Sequence, residues 1–528
     1  MKAFKDSTSL RASLERGIRV VAENVASTLG PKGRNVILHQ QGRNPIITKD
    51  GVTVARFIDL EDHFENTAAQ IIKQAAEKTN QEAGDGTTTT TVLTHAMYCE
   101  AQRYLLAGAP PTDLKRGMEK AIDWLVGQIE EEASPIKSLE DIENIATISA
   151  NGDATIGKMI AKAVDLAGKD GSIKIEEARS LETTLDLVEG FRFDSGYLAT
   201  AFINDETRGL VGYENPLIMV TDEKIETVEE MMPALELAAR ESRPFIIVAE
   251  NVEGQALAAL IMNAMRGTLR IAAVKAPRYG EERRNILKDL ALSVGATLIS
   301  REQGVSLKDI QLTHLGEAKS IECTKRITTI IGGAGSLDTV EQQIEKLKAI
   351  MQDTDALQEC EKIQERITRL SAGVSIIRVG AATEIEMVEK RHRIQDALEA
   401  VKAAQLEGIL PGGGTFLVQK SKNLYQKTKG GAENEWEELG IKIVENSIQE
   451  PLRQMAKNAD QSPDLILSKL LHRRKGEGYD FKKSKMTNML DAGIIDPARV
   501  TRCALQNAVS VAGTLITSNY AIVETATI

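Results

Sequence analysis

The sequence predicts a multidomain protein in which an α/β module is inserted into a helical one. Apolar residues recur at helical spacing through the first quarter of the 528 residues, and again from about residue 415 onward. Between these parts, from about residue 170, short β-rich runs alternate with amphipathic helices, as in layered α/β folds. At roughly 150 residues per domain, the chain forms three or four domains. The order helical, mixed, helical predicts that the first and last quarters pack together.

Composition and charge argue against several classes of protein. The chain has 65 basic and 76 acidic residues, so its net charge of −11 disfavours a nucleic-acid-coating role. Its four cysteines and six histidines are dispersed, without the spacing of a disulfide framework or a zinc site. The sequence contains no run of about 18 apolar residues, which is the length needed to span a membrane, and its first residues lack an apolar signal core. We therefore expect a cytoplasmic protein.

The first quarter is predicted to be helical, with two short strands. A helix over residues 8–29 should end at Gly30-Pro31, because glycine adopts left-handed geometry and proline stops propagation. The elements that follow are strands at 35–39 and 45–48, a turn at 49–51, and helices at 68–82, 87–106 and 113–131. Residues 84–86 break the chain between the first two of these later helices.

The rest of the chain first alternates and then becomes helical again. Strands are predicted at 172–175, 185–188, 217–220, 245–248, 269–274 and 297–299, with helices at 225–240, 253–266 and 281–294. A charged helical stretch at 337–370, a strand at 375–379 and a helix at 384–407 come next. From residue 415 onward we expect helices, apart from a loop near 475–478.

The strongest local motif is Gly-Asp-Gly followed by five threonines, at residues 84–91. A helix that begins here presents unpaired N–H groups and a partial positive charge, which favour a phosphate. Threonine hydroxyls add donors, and the Asp85 carboxylate could hold Mg²⁺. The alternative is an aspartate cap followed by β-branched residues. Both interpretations stay open on residue types alone.

Other glycine turns and carboxylates complete a candidate phosphate site. Residues 28–34 and 412–414 form two further glycine turns, each equally typical of an ordinary helix boundary. Neither GxxxxGK[ST] nor a strand-linked GxGxxG occurs, so a nucleotide site here is of another kind. Phosphoryl transfer to water needs a metal and a residue that orients the water. Asp85 could supply the first and Asp396 or Asp50 the second, although solvated carboxylates are the simpler interpretation.

Two helical patterns in the middle region carry apolar side chains that could pack either in the core or against another protein. Leu257, Ile261 and Met262 belong to one, and Met232 and Leu235 to the one before it. Residues 257 and 261 share a helix face. Core packing and an exposed groove for partner segments both fit this pattern.

The motifs taken together resemble a group I chaperonin of the bacterial GroEL type. The resemblance covers essentially the whole chain and rests on Thr-Leu-Gly-Pro-Lys-Gly-Arg-Asn (28–35), Thr-Lys-Asp-Gly-Val (48–52), Gly-Asp-Gly-Thr-Thr-Thr (84–89), Asp-Leu-Lys-Arg-Gly (113–117), Ile-Ser-Ala-Asn (148–151), Val-Lys-Ala-Pro (274–277), Val-Gly-Ala-Ala-Thr-Glu (379–384) and Pro-Gly-Gly-Gly (411–414). It implies a helical equatorial ATPase domain (1–131 and 407–528), an intermediate hinge domain (132–188 and 375–406) and an inserted α/β apical domain (189–374).

The resemblance also implies a function and an assembly. Subunits would form seven-membered homo-oligomeric rings, single or stacked in pairs. ATP binding and hydrolysis, with Mg²⁺ and K⁺, would move the apical domains, and a GroES-type cochaperonin would close a chamber. Unfolded client proteins would fold inside it.

Specific residues carry these implied roles over to this sequence. Implied nucleotide contacts are Thr28, Leu29, Gly30, Pro31, Lys49, Asp85, Gly86, Thr87, Thr88, Thr89, Gly413, Asp480 and Asp496. Asp85 would bind Mg²⁺, the backbone of Thr28 and Lys49 would bind K⁺, and Asp396 would orient the attacking water with Asp50. The implied substrate and cochaperonin contacts are Tyr197, Phe202, Met232, Leu235, Leu257, Ile261 and Met262. The implied hinges pair Pro135 with Gly408 and Gly190 with Gly373.

Several positions depart from the family pattern. Ala201 replaces a usual tyrosine of the substrate groove, Ser195 replaces an arginine that pairs with a neighbouring subunit, and Ser462 replaces an acidic ring-to-ring contact. The phosphate-side and water-orienting residues are retained, so we expect a working ATPase. The alternative is a divergent ring that acts as a specialised binding or assembly scaffold with reduced general folding activity.

Overall fold

The protein divides into two compact units. A computed structural model describes residues 2–40, 42, 45–167, 172–178, 180–206, 208–352, 357–371 and 373–524. One unit contains residues 1–162, 179–182 and 379–528, and the other contains 163–178 and 183–378. The first unit is thus assembled from the two ends of the chain, and the second from its middle.

Helices account for most of the first unit and cover the sheet of the second. In chain order they are α1 (Ser7–Ala26), α2 (Gly51–Phe57), α3 (His63–Ala83), α4 (Thr87–Leu106), α5 (Pro111–Glu132), α6 (Leu139–Ser149), α7 (Ala154–Ala167), α8 (Val228–Glu241), α9 (Gly254–Met265), α10 (Gly280–Val294), α11 (Leu337–Gln352), α12 (Leu357–Ser371), α13 (Glu384–Glu407), α14 (Thr415–Ser421), α15 (Leu424–Thr428), α16 (Glu435–Ser447), α17 (Glu450–Asn458), α18 (Pro463–Leu471) and α19 (Ala498–Thr517). The long helices match the expected apolar periodicity.

Strands are short in the first unit and gather into one large sheet in the second. In chain order they are β1 (Lys2–Lys5), β2 (Val36–Leu38), β3 (Ile46–Thr48), β4 (Ser172–Glu177), β5 (Thr184–Phe193), β6 (Val211–Glu214), β7 (Leu217–Val220), β8 (Lys224–Ile225), β9 (Phe245–Ala249), β10 (Asn251–Val252), β11 (Ile271–Lys275), β12 (Gly316–Cys323), β13 (Thr328–Gly333), β14 (Gly373–Val379), β15 (Ile409–Pro411), β16 (Glu477–Asp480), β17 (Lys485–Asn488), β18 (Ile495–Pro497) and β19 (Ala521–Glu524).

The first unit has an aliphatic core built by both ends of the chain. Helices α1, α3, α4, α5, α16 and α19 supply its buried side chains. On α1 the buried stripe repeats every three or four residues, as Leu10, Leu14, Ile18 and Val21 show. Strand β1 pairs with β19 in antiparallel register, with Phe4 opposite Ile522. The expectation that the first and last quarters pack together is confirmed.

The second unit is built on a mixed sheet. Its strand order is β11-β9-β7-β12-β13-β5-β14-β4, and β6 also pairs with β12. Strands β7, β9 and β11 are parallel and buried along most of their length, so they form near-continuous apolar runs such as Phe245–Ala249. Helices α8, α9 and α10 supply further side chains to this core. The expected α/β module is therefore present.

The structure differs from the predicted elements in several places, among them β1, β6, β15 and β19, the last of which lies where a helix was expected. Residues 477–497 contain the antiparallel pair β16–β17 and strand β18, where helices around a loop were expected. Residues 297–299 form no strand, and Ile299 makes only an isolated bridge to Thr221. The β12–β13 pair had no counterpart among the predicted strands. Strand β18 and Ile299 pair with residues far away in the sequence, which local patterns do not encode, whereas β16–β17 and β12–β13 pair strands that are close in sequence.

The residues of each implied hinge pair lie close together in the structure. The contact pattern separates two units, so the three predicted domains and their boundaries remain a prediction. Pro135 and Gly408 flank an isolated bridge between Ser134 and Ile409. Gly190 and Gly373 lie in strands β5 and β14, which pair with each other. Each implied hinge pair is therefore adjacent in space, and the hinge role itself remains a prediction.

Among the described residues, no helix is both long and apolar enough to cross a bilayer.

Candidate nucleotide site

The first unit contains a cavity of about 490 Å³. Distant segments of the chain converge on it: the turn after α1, the start of α2, the start of α4, α13, and the loops around β15 and β18. Its lining includes all of the residues implied on the nucleotide side, which are Thr28, Leu29, Gly30, Pro31, Lys49, Asp50, Asp85, Gly86, Thr87, Thr88, Thr89, Asp396, Gly413, Asp480 and Asp496. The structure thus brings them together, while their roles remain to be tested.

The start of helix α4 supplies hydrogen-bond donors to this cavity. Gly86 caps the helix in left-handed geometry, at φ 83°, without a side-chain cap. A Cβ there would lie 2.6 Å from Val500 Cγ1, so glycine is required for both reasons. The first-turn N–H groups of Thr87, Thr88 and Thr89 have no acceptor within the helix. They are suited to bind phosphate oxygens.

The threonine run divides into two groups. The hydroxyls of Thr90 and Thr91 donate to carbonyl oxygens one turn earlier, those of Gly86 at 3.0 Å and Thr87 at 2.9 Å. Both side chains are fully buried. Residues 87–89 line the cavity instead. Only the first part of the run is therefore available to a ligand.

The turn after α1 and the start of α2 both contact the start of α4. The Thr28 and Thr88 hydroxyl oxygens lie 3.4 Å apart. At Gly51, a Cβ would lie 2.5 Å from Thr88 Oγ1 and 2.8 Å from Thr87 Oγ1. The absence of a side chain at Gly51 therefore allows α2 and α4 to meet at the cavity wall.

Asp85 is the carboxylate best suited to hold Mg²⁺. Its Oδ1 accepts the Gly86 N–H at 2.5 Å, and its Oδ2 accepts the Ser149 hydroxyl at 2.9 Å. Burial raises the pKa of Asp85, and the nearby charge of Asp50 raises it further. A divalent cation at this carboxylate would offset both effects. Mg²⁺ commonly uses one or two carboxylates together with phosphate oxygens, so the residues fit the metal.

Asp396 and Asp50 differ sharply in their surroundings. Burial raises the pKa of Asp396 well above its ordinary value, and the charges of Asp50 and Asp85 add to this. Among the described residues, the Asp396 carboxylate has no hydrogen-bond partner, so it is available to a water or ligand. Asp50 instead caps α2, accepting the N–H groups of Val52 at 3.1 Å and Thr53 at 3.0 Å. Its direct participation in hydrolysis is therefore less well supported than that of Asp396.

The opposite end of the cavity is formed by the loops around β15 and β16. Asp496 faces the backbone N–H groups of Gly413 and Gly414, which lower its pKa. Burial and the charge of Asp85 outweigh them and raise that pKa to about 6. The buried Asp480 carboxylate accepts the N–H groups of Lys482 at 2.8 Å and Lys483 at 3.0 Å. Asp480 thus organises its own turn, and its contact with a nucleotide remains a prediction.

The raised pKa of Asp496 predicts a pH-dependent stability. Because the folded carboxyl titrates near pH 6 and the unfolded one near pH 4, the ionised form is penalised only in the folded protein. That penalty is absent below about pH 4 and complete above about pH 6. We expect Asp496→Asn to stabilise the nucleotide-free protein by about 2 kcal/mol at pH 7.5 and by much less at pH 4.5.

Denaturant unfolding at both pH values, without Mg²⁺ or nucleotide, measures this difference. Asp491→Asn, close by in sequence at an exposed position, provides the matched control. A gain for Asp496→Asn that is equal at both pH values would show that the carboxyl is not penalised by burial.

Sequence reasoning assigned no individual role to several residues of the cavity wall. They are Asn144, Ser149, Asn151, Glu389, His392, Arg393, Tyr479 and Lys482. Ser149 and Asn151 belong to the quoted 148–151 motif, which could have indicated them. Arg393 lies three residues before Asp396 on α13, so helical periodicity could have placed the two side chains on the same face of the helix. The others carried no local signal.

The second implied site, in the second unit, is only partly exposed. Met232 and Met262 are 45% and 46% exposed, and Tyr197, Leu257 and Ile261 are half-buried. Phe202 and Leu235 differ from the expectation of a contact surface, because they are only 2% and 8% exposed and belong to the core. Met265, one turn beyond Ile261, is 71% exposed and was not singled out in the sequence.

Comparison with known proteins agrees with this architecture. The sequence profile of the TCP-1/cpn60 chaperonin family matches residues 21–526. The chain therefore belongs to the TCP-1/cpn60 chaperonin family. Its fold is also similar to the crystal structure of the chaperonin gp146 from the bacteriophage EL 2 (Pseudomonas aeruginosa), solved in the presence of ATP-BeFx. That match has a TM-score of 0.68 and 21% identity, and it covers 99% of each chain. The predicted chaperonin fold is confirmed.

Proposed function

We propose that this chain is an ATP-dependent ring chaperonin that binds non-native proteins and promotes their folding in a closed chamber. The observation that carries the proposal is the single cavity lined by every residue implied on the nucleotide side. It combines first-turn helix N–H donors with a buried carboxylate suited to Mg²⁺ and a second, unpartnered carboxylate. This is the set of groups that hydrolysis of a nucleoside triphosphate requires.

Each part of the cavity has a distinct task in the proposed reaction. The N–H groups and hydroxyls of residues 87–89, with the turn at 28–31, hold the phosphates. Asp85 would hold Mg²⁺, which would supply positive charge to the phosphate oxygens. Asp396 accepts a hydrogen bond from the attacking water and orients it. Asp496 and residues 413–414 hold the nucleoside, and the backbone of Thr28 and Lys49 would hold K⁺.

The proposed assembly is a homo-oligomer of one or two seven-membered rings in the cytoplasm, with a GroES-type cochaperonin. Its clients are unfolded proteins, and neither nucleic acid nor a membrane is a partner. The exposed Met232, Met262 and Met265 supply apolar surface for clients. Methionine suits such a surface because its flexible, polarizable side chain adapts to varied partners.

A client-capture experiment tests this function. We expect Met262→Glu to weaken binding of a chemically denatured client by at least about tenfold, because a buried apolar contact is replaced by a charge. ATP turnover should stay close to that of the unmodified protein. Leu337→Glu, at a residue 54% exposed outside this apolar set, is the control. Recovery of client activity with and without ATP completes the measurement.

The outcome also separates the alternative function, a specialised binding or assembly scaffold. Phe202 and Leu235 are buried, and Ala201 stands where an aromatic residue is usual, so the apolar surface available to clients is small. This small surface favours the alternative. Equal client binding by both variants, with no ATP-dependent recovery, would contradict the folding function and favour the scaffold.

A further inference from the structure

A second depression adjoins the nucleotide cavity in the first unit. Residues 33–35 line one side of it, and Lys49, Asn151, Glu389 and Arg393 line the other. The latter four residues also line the nucleotide cavity, whereas residues 33–35 do not. The two spaces are therefore neighbours that share four lining residues.

Cations dominate the lining of this depression. Arg34, Lys49 and Arg393 contribute three positive charges, and Glu389 contributes the only carboxylate among its lining residues. Glu389 is already engaged, since Arg393 donates to it at 2.7 Å. The side-chain amides of Asn35 and Asn151 add neutral donors. The lining therefore suits an anion.

The capacity for such a ligand lies mainly with Arg34 and Lys49, because Arg393 also pairs with Asp153 at 3.4 Å. Arg34 has one weak ion pair, with Asp460 at 3.9 Å, and both side chains are at least 80% exposed. Lys49 approaches the Asn151 oxygen at 3.5 Å. The Lys49 ammonium and the Arg393 guanidinium both line this depression, so an anion bound there would contact two positive charges.

We propose that this depression is a subsite for inorganic phosphate, which receives the phosphate cleaved from ATP in the adjoining cavity. The proposal rests on the ATPase function above. Lys49 and Arg393 line both spaces, so phosphate keeps a positively charged neighbour as it moves from one to the other. Arg34 provides the planar guanidinium that binds a tetrahedral anion through paired hydrogen bonds.

The location predicts a distinctive pattern of product inhibition. Phosphate in the subsite leaves the position of the ATP γ-phosphate free, so it should lower kcat without raising KM for ATP. Phosphate bound only at the γ-phosphate position would instead compete with ATP and raise KM.

The test is steady-state ATP hydrolysis by the full-length protein across a range of inorganic phosphate, at ionic strength held constant with chloride. The variant is Arg34→Gln, and Lys32→Gln is the matched control. Lys32 is an exposed cation of the same loop that lines neither space. We expect Arg34→Gln to require at least about tenfold more phosphate for half-inhibition, while Lys32→Gln behaves as the unmodified protein.

Equilibrium dialysis with radiolabelled inorganic phosphate, without nucleotide, separates this proposal from the ATPase function. Phosphate binding that Arg34→Gln weakens and Lys32→Gln preserves supports the subsite, even if the unmodified protein does not hydrolyse ATP. Inhibition that competes with ATP, equal effects of the two variants, or no phosphate binding in dialysis would overturn it.

Discussion

Replacing Asp396 by asparagine is expected to lower the rate of ATP hydrolysis by about a hundredfold or more. The carboxylate lines the nucleotide cavity and has no hydrogen-bond partner among the described residues. Burial and neighbouring carboxylates hold its pKa high, and Mg²⁺ bound nearby would counter this and favour the ionised form. Asparagine keeps the shape but loses the charge that orients water, so ATP binding should change little.

Gln395→Ala is the matched control for this prediction, because Gln395 is the exposed neighbour of Asp396 on α13. Phosphate release and nucleotide binding should be measured on the same preparations. Hydrolysis by the Asp396 variant at the unmodified rate would remove this residue from the reaction. Loss of binding together with hydrolysis would assign it to ligand binding instead.

Replacing Asp289 by alanine should destabilise the second unit by about 3–5 kcal/mol. Asp289 is 1% exposed, and both of its oxygens accept from the Arg366 guanidinium at 2.8 Å. The pair joins α10 to α12, so its loss leaves a half-buried guanidinium without its carboxylate. Glu226→Ala is the control, because its ion pair with Lys224 is solvent-exposed and should contribute less than about 1 kcal/mol.

Two spectroscopic signals separate the units in this experiment. Both tryptophans, Trp124 and Trp436, belong to the first unit, so their fluorescence follows that unit alone. Far-ultraviolet circular dichroism follows both units. The unfolding of the second unit is visible in circular dichroism but not in tryptophan fluorescence. We expect Asp289→Ala to lower the denaturant midpoint of that transition. A shift no larger than that of Glu226→Ala would show that the buried pair contributes little.

The helical framework could be predicted because each helix carries its own signal. Helix α13 (Glu384–Glu407) has the predicted bounds, and α4 begins where Gly86 breaks the preceding helix. Strand β7 (Leu217–Val220) also agrees, because a short buried apolar run has few other structures available. In these cases local residues determine local structure.

The elements that escaped prediction lack a recognisable strand pattern of their own. Strands β16 and β17 contain Glu477, Asp480 and Lys485, which lack strand periodicity, and they are defined by pairing with each other. The cavity escaped prediction for a different reason, because its residues are distant in the sequence. Asp85 lies in the turn between α3 and α4 and Asp396 lies far along the chain on α13, and no local pattern reveals that they face one space. Their association was predicted only through the family resemblance.

Capping roles were equally invisible in the sequence. Asp50 was assigned to the orientation of water and Asp480 to nucleotide binding, yet each accepts two backbone N–H groups of its own turn. An aspartate beside a turn is suited to both tasks, so only the geometry distinguishes them. Ser149 belongs to the 148–151 motif, but its hydrogen bond to Asp85 is visible only in the folded arrangement.

The central claim is that this cavity hydrolyses ATP within a ring-sized assembly. The most direct test measures steady-state phosphate release by the purified protein, with and without Mg²⁺, and reads particle mass in the same samples. We predict slow Mg²⁺-dependent turnover by a particle of several subunits. A particle of any size that neither binds nor hydrolyses ATP would contradict the account.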